Sequence, residues 1–218
     1  MGVSTMTAAQ GVRRTAPPLA LALMALATTL TSASPVWAAP EFAALSAPAR
    51  LLDSRPGAAT FDGQFSGIGS RPAESTLELQ VTGRAGVPVD AAAVVLNVTV
   101  DSALGDGFLT VFPCGTTRPN ASSLQYVRAT TIANLVVSGV DAGGKVCLYN
   151  LAPTDLVVDI TGSFPAGFFA PLPSPERLLD SRAGALTADG QFSGIGVRPA
   201  ATIVELPVAA GRTPMPEN

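Results

Sequence analysis

The chain contains no histidine, a single lysine (Lys145), a single tryptophan (Trp37) and two cysteines, Cys114 and Cys147, in 218 residues. Without histidine there is no near-neutral general base, no imidazole metal ligand and no middle member for a Ser-His-Asp or Cys-His arrangement. With only two cysteines and no histidine, a zinc site of the usual composition is also excluded. Charge is sparse at 13% against 47% hydrophobic residues, the composition of an ordered chain and not of a disordered tail. Glycine (21) and proline (19) are plentiful, which favours short strands and turns over long helices.

The N-terminal segment reads as an export signal. Residues up to Arg14 carry no acid and end in Val12-Arg13-Arg14, and Leu19 to Leu30 form an apolar run shorter than the ~20 residues a membrane-spanning helix needs. Val36-Trp37-Ala38 presents small residues where a signal peptidase reads them, so cleavage is expected after Ala38, giving a signal peptide over residues 1–38. A proline soon after the two arginines favours the general secretory route over a twin-arginine one, and no cysteine near the cut points to a lipid anchor. Removing Arg13 and Arg14 with the leader leaves 11 basic against 16 acidic residues, a net charge of about −5, which repels polyphosphate and argues against nucleic acid as a partner. The only tryptophan leaves with the leader as well.

Self-similarity organises the rest. Arg50-Leu51-Leu52-Asp53-Ser54-Arg55 recurs as Arg177-Leu178-Leu179-Asp180-Ser181-Arg182, and Asp62 to Gly69 recurs as Asp189 to Gly196, all at an offset of 127. Arg71-Pro72-Ala73 matches Arg198-Pro199-Ala200, and about 23 of the 33 positions from Arg50 to Thr82 are identical in the two copies. Phe42, Leu45 and Pro48 likewise pair with Phe169, Leu172 and Pro175. One complete unit is expected over residues 39–166 and a partial second unit over 167–218. The alignment holds to about Val208, and nothing matches Val89 to Phe164 a second time. A frameshift, a premature stop or an incomplete gene model is the expectation for this shortfall; packing of the partial copy on the first unit, or its pairing with another molecule's sheet edge, are the alternatives.

Within the first unit, Leu77, Leu79 and Val81 alternate with Glu78, Gln80 and Thr82, and Val94, Leu96, Val98 and Val100 alternate with Asn97, Thr99 and Asp101, the period-two pattern of half-buried strands. Further strands are expected at Arg50–Ser54, Phe108–Phe112, Ser123–Arg128, Thr131–Val137, Val146–Asn150 and Leu156–Thr161. Gly105-Asp106-Gly107 and Asp141-Ala142-Gly143-Gly144 punctuate them, the latter read as a hairpin connection. About eight short strands without a capped helical period predict an all-β fold, an antiparallel two-sheet β-sandwich, with a small closed barrel as second choice.

The blocks Arg50–Arg55, Ala93–Val100, Phe108–Gly115, Ala133–Val137 and Asp159–Phe164 together resemble a secreted actinobacterial repeat module found in tandem on extracellular proteins, sometimes beside peptidase or cell-wall hydrolase domains. The resemblance implies a secreted β-rich accessory module and brings no catalytic residue or cofactor with it. The sequons at Asn97 and Asn120 are read as coincidence in such a bacterial product.

The candidate sites divide between chemistry and architecture. Cys114 and Cys147 form an even pair in an oxidising compartment and are expected to bridge, closing a loop of 33 residues for about 3 kcal/mol. Asp53 and Arg55, with Arg71 nearby, would suit a carboxylate beside an anion-binding arginine, but their recurrence as Asp180, Arg182 and Arg198 favours a hydrogen-bonded latch that each copy needs for folding. Gly63, Gly67 and Gly69 imitate a phosphate loop without its lysine or its helix, and read as turn residues. Asp101, Asp106 and Asp141 are spaced unlike a calcium loop and read as turn carboxylates. The resulting expectation is a non-enzymatic structural or adhesive module, secreted or at the cell surface, with neighbouring repeats or cell-wall polysaccharide as partners. A glycan-binding accessory module and a carboxylate-based hydrolase are the alternatives.

Overall fold

The computed structural model describes residues 42–169, 172 and 175–208; the expected leader, its cleavage site and the last ten residues lie outside them. The described residues form an all-β sandwich of eight strands: β1 Ala43–Asp53, β2 Ser75–Gln80, β3 Ala91–Asp101, β4 Gly107–Pro113, β5 Leu124–Tyr126, β6 Ile132–Gly139, β7 Lys145–Asn150 and β8 Asp155–Pro165. Two antiparallel four-stranded sheets have the orders β1-β8-β3-β6 and β2-β7-β4-β5. Only β4 and β5 are consecutive strands paired with each other. Every other step along the chain crosses from one sheet to the other or arrives beside a distant strand, so most of the sheet depends on contacts far apart in sequence.

The alternating rows meet in one core. Val94, Leu96, Val98 and Val100 of β3 and Leu156, Val158 and Ile160 of β8 are fully buried from one side, facing Leu79, Leu109, Val111, Val146 and Leu148 from the other sheet. Each such side chain contributes roughly 1.5–3 kcal/mol by leaving water. Tyr126 on β5 closes one end: its hydroxyl donates to the Ala152 carbonyl at 3.2 Å and accepts from the Ala152 N–H at 3.0 Å, so the ring is buried without an orphaned hydroxyl. Burial pushes its phenol pKa up.

Two sequence expectations are corrected. β1 begins seven residues before Arg50, because the Ala-rich lead-in pairs with the end of β8, Ala43 opposite Ser163 and Ala44 opposite Gly162. The Asp141–Gly144 turn does form, with Gly144 N–H bonded to the Asp141 carbonyl at 2.9 Å, but it does not close a hairpin. β6 pairs with β3 while β7 pairs with β2 and β4. The Gly144 carbonyl accepts the N–H groups of Val81 and Thr82, which ties the turn to the end of β2 and carries the chain into the second sheet.

The expected disulfide joins Cys114 to Cys147 with Cα atoms 5.0 Å apart. Cys147 lies opposite Phe112 on β4, and the bridge packs with Phe112 and Tyr149 in a small cluster separate from the main core. An oxidised pair is compatible with an extracellular location.

Candidate functional site

The repeated motif builds an ionic latch at the edge of the first sheet. β1 carries a bulge between Arg50, opposite Asp159, and Leu52, opposite Val158. The extra residue breaks strict alternation, so Leu51 and Leu52 both enter the core while Arg50 and Asp53 emerge on the other face. Arg50 donates from Nε to Asp159 at 2.9 Å and from Nη1 to Asp53 at 2.9 Å. Arg55, past the strand end, grips Asp53 with Nε at 2.9 Å and Nη2 at 2.7 Å, and reaches Asp101 on β3 with Nη1 at 3.3 Å. Next to it, the Ser54 hydroxyl donates to Asp155 at 2.7 Å and accepts the Leu156 N–H at 2.9 Å.

The Asp53 carboxylate is fully buried and survives there because two guanidiniums and the Arg55 N–H surround it. The Arg55 hydrogen bonds hold its pKa below the usual carboxylate range against the opposing effect of burial. Asp101 is likewise held low, first by the Thr131 hydroxyl and then by Arg55. An acid held ionised in this way is a poor proton donor, and its oxygens are occupied by intramolecular donors.

Behind the strand, residues 55–71 wrap back on it. Gly67 and Gly69 adopt φ of 61° and 82°, a region open to glycine, and their N–H groups donate to the carbonyls of Asp53 and Ser54, each at 2.8 Å. Two N–H groups of the phosphate-loop imitation, those of Gly67 and Gly69, are thus spent on the end of β1 and the residue after it. Arg84, which the repeat comparison does not single out, anchors the far side of this wrap. It is buried, holds Asp62 through Nε and Nη2 at 2.7 Å each, and donates to the carbonyls of Gln80 and Leu51 at 2.8 and 2.9 Å. Its guanidinium also lies 5.3 Å from the centre of the Phe65 ring. The Arg84 hydrogen bonds bring the Asp62 pKa from the ordinary 3.8 to about 2.

Arg71 does not join Asp53 and Arg55. Its backbone bridges Thr154 in both directions, at 2.7 and 3.2 Å, while its Nε is buried without a hydrogen-bond partner among the described residues. Asp106 caps the Arg128 N–H at 2.8 Å and Asp141 caps the Lys145 N–H at 2.7 Å. Asp101, Asp106 and Asp141 therefore serve three separate places, and among the described residues no group of three or more Cys, Asp or Glu side chains gathers as a metal site.

The second copy repeats the latch on its own. Arg182 holds Asp180 through Nε at 2.9 Å and Nη2 at 2.6 Å, and Arg177 donates to Asp180 at 2.8 Å. Asp180 is buried and its pKa is lowered, chiefly by Arg182. Arg198 is exposed. An open groove of about 1260 Å³ runs beside this copy, with Phe108, Arg118, Asn120 and Gln125 of the first unit and Arg177 and Arg182 of the second in its lining. The Arg118 guanidinium lies over the Tyr149 ring, 3.8 Å from its centre.

No family model matches the chain, and no curated protein matches it in sequence. Among solved structures it is similar to the coat protein of Tobacco streak virus, at 13% identity and a TM-score of 0.31 over 47% of this chain and 83% of that one.

Proposed function

We propose that the chain is a secreted, non-enzymatic structural or adhesive module whose repeats act outside the cell as spacers. One observation carries the reading: the buried Asp53 is enclosed by Arg50 and Arg55, and the same constellation is rebuilt at Asp180 with Arg177 and Arg182. A catalytic carboxylate must meet substrate, whereas among the described residues these oxygens are taken up by the protein's own guanidiniums and one backbone N–H each, and folding explains why both copies need them. The disulfide and the export signal in the sequence support the extracellular setting.

The test pairs stability with activity. Asp53→Asn should lower the unfolding midpoint strongly, and the unsubstituted chain should turn over no polysaccharide, ester or peptide substrate. Turnover that Asp53→Asn abolishes while the sandwich stays folded would replace this reading with the carboxylate hydrolase.

A second reading, a glycan- or cell-wall-binding module, is favoured by the groove of about 1260 Å³ with Phe108, Asn120 and Gln125 beside three arginines. Depletion of the chain from solution by insoluble cell-wall polysaccharide, weakened by Arg118→Ala, is the result that would support it. Equal recovery with and without the polysaccharide would remove it.

A further inference from the structure

The two latches have the same internal wiring. In the first, Asp53 N–H bonds to the Phe65 carbonyl, Ala58 to Arg55, Phe61 to Arg50, Gly67 to Asp53 and Gly69 to Ser54; in the second, Asp180 bonds to Phe192, Ala185 to Arg182, Ala188 to Arg177, Gly194 to Asp180 and Gly196 to Ser181. Phe65 and Phe192 even share a left-handed backbone, with φ of 55° and 50°. The second latch thus holds the shape of the first while standing away from the surface on which the first one docks.

That docking surface is specific. It offers Asp159 to Arg50, Asp101 to Arg55, Asp155 and the Leu156 carbonyl to Ser54, and Arg84 to Asp62, with core residues packed against Leu51 and Leu52. Each docked side chain has an identical counterpart in the second copy: Arg177, Arg182, Ser181, Asp189, Leu178 and Leu179. Leu52 is fully buried, whereas Leu179 is 37% exposed.

We infer that the second latch is a ligand for the docking surface that the first latch occupies, so that the chain carries two interchangeable latches for one site. Reach supports this. Phe42 and Phe169 each lie 5.1 Å from the Phe164 ring at the end of β8, and in both copies seven residues lie between that phenylalanine and the first latch arginine. Both latches therefore hang from the same point on tethers of the same length, which gives the second a high effective concentration at the site. Exchange breaks the β1–β8 ladder, because among the described residues β1 is an outer strand with β8 as its one neighbour.

The lead-ins set which latch wins. Ala44, Ser46 and Ala49 of the first copy are replaced by Pro171, Pro173 and Glu176 in the second. Proline cannot donate to a sheet ladder, so the first latch holds the site in the intact chain and the second takes it when the first is withdrawn. A repeat of this kind can then be closed by the latch of the repeat that follows it, which links neighbours through a shared strand. The inference does not depend on the structural reading above, since a binding module with the same two latches would exchange them equally.

A cysteine reporter tests it in the full chain. The Ser54 hydroxyl lies 2.7 Å from Asp155, so Asp155→Cys with Ser181→Cys reports the second latch on the site as a new disulfide, mapped by peptide mass. With no further change, the first latch keeps its Arg50, Arg55 and leucine contacts and the 155–181 bridge should be a minor product; adding Leu52→Ala, which weakens the first latch without abolishing the fold, should raise its yield several-fold. Leu51→Asp with Leu52→Asp should make it dominant, within one chain on a non-reducing gel. The same pair without the cysteines should melt several degrees above a variant that also carries Leu178→Asp and Leu179→Asp. An unchanged yield with Leu52→Ala, a bridge between chains only, or equal melting of the two aspartate variants would each overturn the inference.

Discussion

Arg84 meets Asp62 in a two-pronged pair, Nε to Oδ2 and Nη2 to Oδ1 at 2.7 Å each, while its remaining donors hold the carbonyls of Gln80 and Leu51. The residue is 5% exposed and joins three parts of the chain: the wrap behind β1, the end of β2 and the bulge that lets Leu51 and Leu52 enter the core. Arg84→Met should cost about 3 kcal/mol, since two backbone carbonyls and a carboxylate lose their donor together. Arg84→Lys should recover little of this, because an ammonium cannot reproduce the planar two-pronged contact. Urea unfolding of the three proteins measures both.

Acid should weaken the same region. Asp53, Asp62 and Asp101 all have folded-state pKa values below the ordinary carboxylate value. A depressed folded pKa contributes stability that is complete above the unfolded value, near pH 4, and is lost as pH falls through the folded one. For Asp62 that window runs from about 3.8 down to about 2. The urea midpoint should therefore hold steady from pH 7 to 5 and fall between pH 4 and 2. In Asp62→Asn the midpoint should be lower at pH 7 and the fall below pH 4 shallower, whereas an unchanged acid limb would remove Asp62 from the account.

Several of these features were readable in the chain and others were not, for reasons that can be named. The alternating apolar rows that begin at Leu77 and Val94 are ones that a residue of slippage would turn to solvent, and Leu79, Val81, Val94, Leu96, Val98 and Val100 are indeed buried. The Ala43–Ala49 half of β1 has no such row, and its pairing depends on β8, more than 110 residues later. The Asp141–Gly144 turn has hairpin composition, yet which sheet each flanking strand joins is decided by long-range partners. Repeat comparison selected Asp53 and Arg55 because both copies keep them. It also selected Arg71, whose role is in its backbone, and passed over Arg84, whose counterpart falls where the two copies part company.

Gly107 is required by the side chain it faces. A Cβ placed there would lie 2.8 Å from the Tyr126 ring, and the ring cannot retreat because its hydroxyl is bonded in both directions to Ala152. Gly107→Ala should destabilise by about 1–3 kcal/mol through overpacking. In combination with Tyr126→Leu the two losses should be less than additive, since the smaller side chain removes the clash. A double-mutant cycle with additive effects would mean that the glycine serves the turn and not the ring.

The disulfide lies in its own cluster with Phe112 and Tyr149, apart from the main core. Cys114→Ser with Cys147→Ser should therefore lower stability by about 3 kcal/mol, chiefly by freeing a 33-residue loop in the unfolded chain, and leave the sheets intact. Hydrogen exchange in β3 and β8 should keep its order of protection in the variant, with all rates shifted together. A loss confined to β4 and β7 would assign the bridge a local role instead.

Phe164 meets the leading phenylalanine of both copies, with Phe42 and Phe169 each 5.1 Å away. An aromatic pair contributes roughly 0.5–1.5 kcal/mol beyond the area it buries, so Phe164→Ala removes two such contacts and Phe169→Ala removes one. Gly162 opposes Ala44 in the same region, and a Cβ there would lie 2.7 Å from the Ala43 carbonyl as well as meet the Phe42 ring, so the first lead-in is held by shape and by a ladder, whereas Phe169 meets Phe164 ring to ring. Phe169→Ala should accordingly speed hydrogen exchange after Pro165 and leave Ala43–Pro48 unchanged. Phe164→Ala should speed both, the first segment by less because its strand pairing with β8 remains. Equal acceleration of the two segments in Phe164→Ala would show that the ring, and not the ladder, carries the first lead-in.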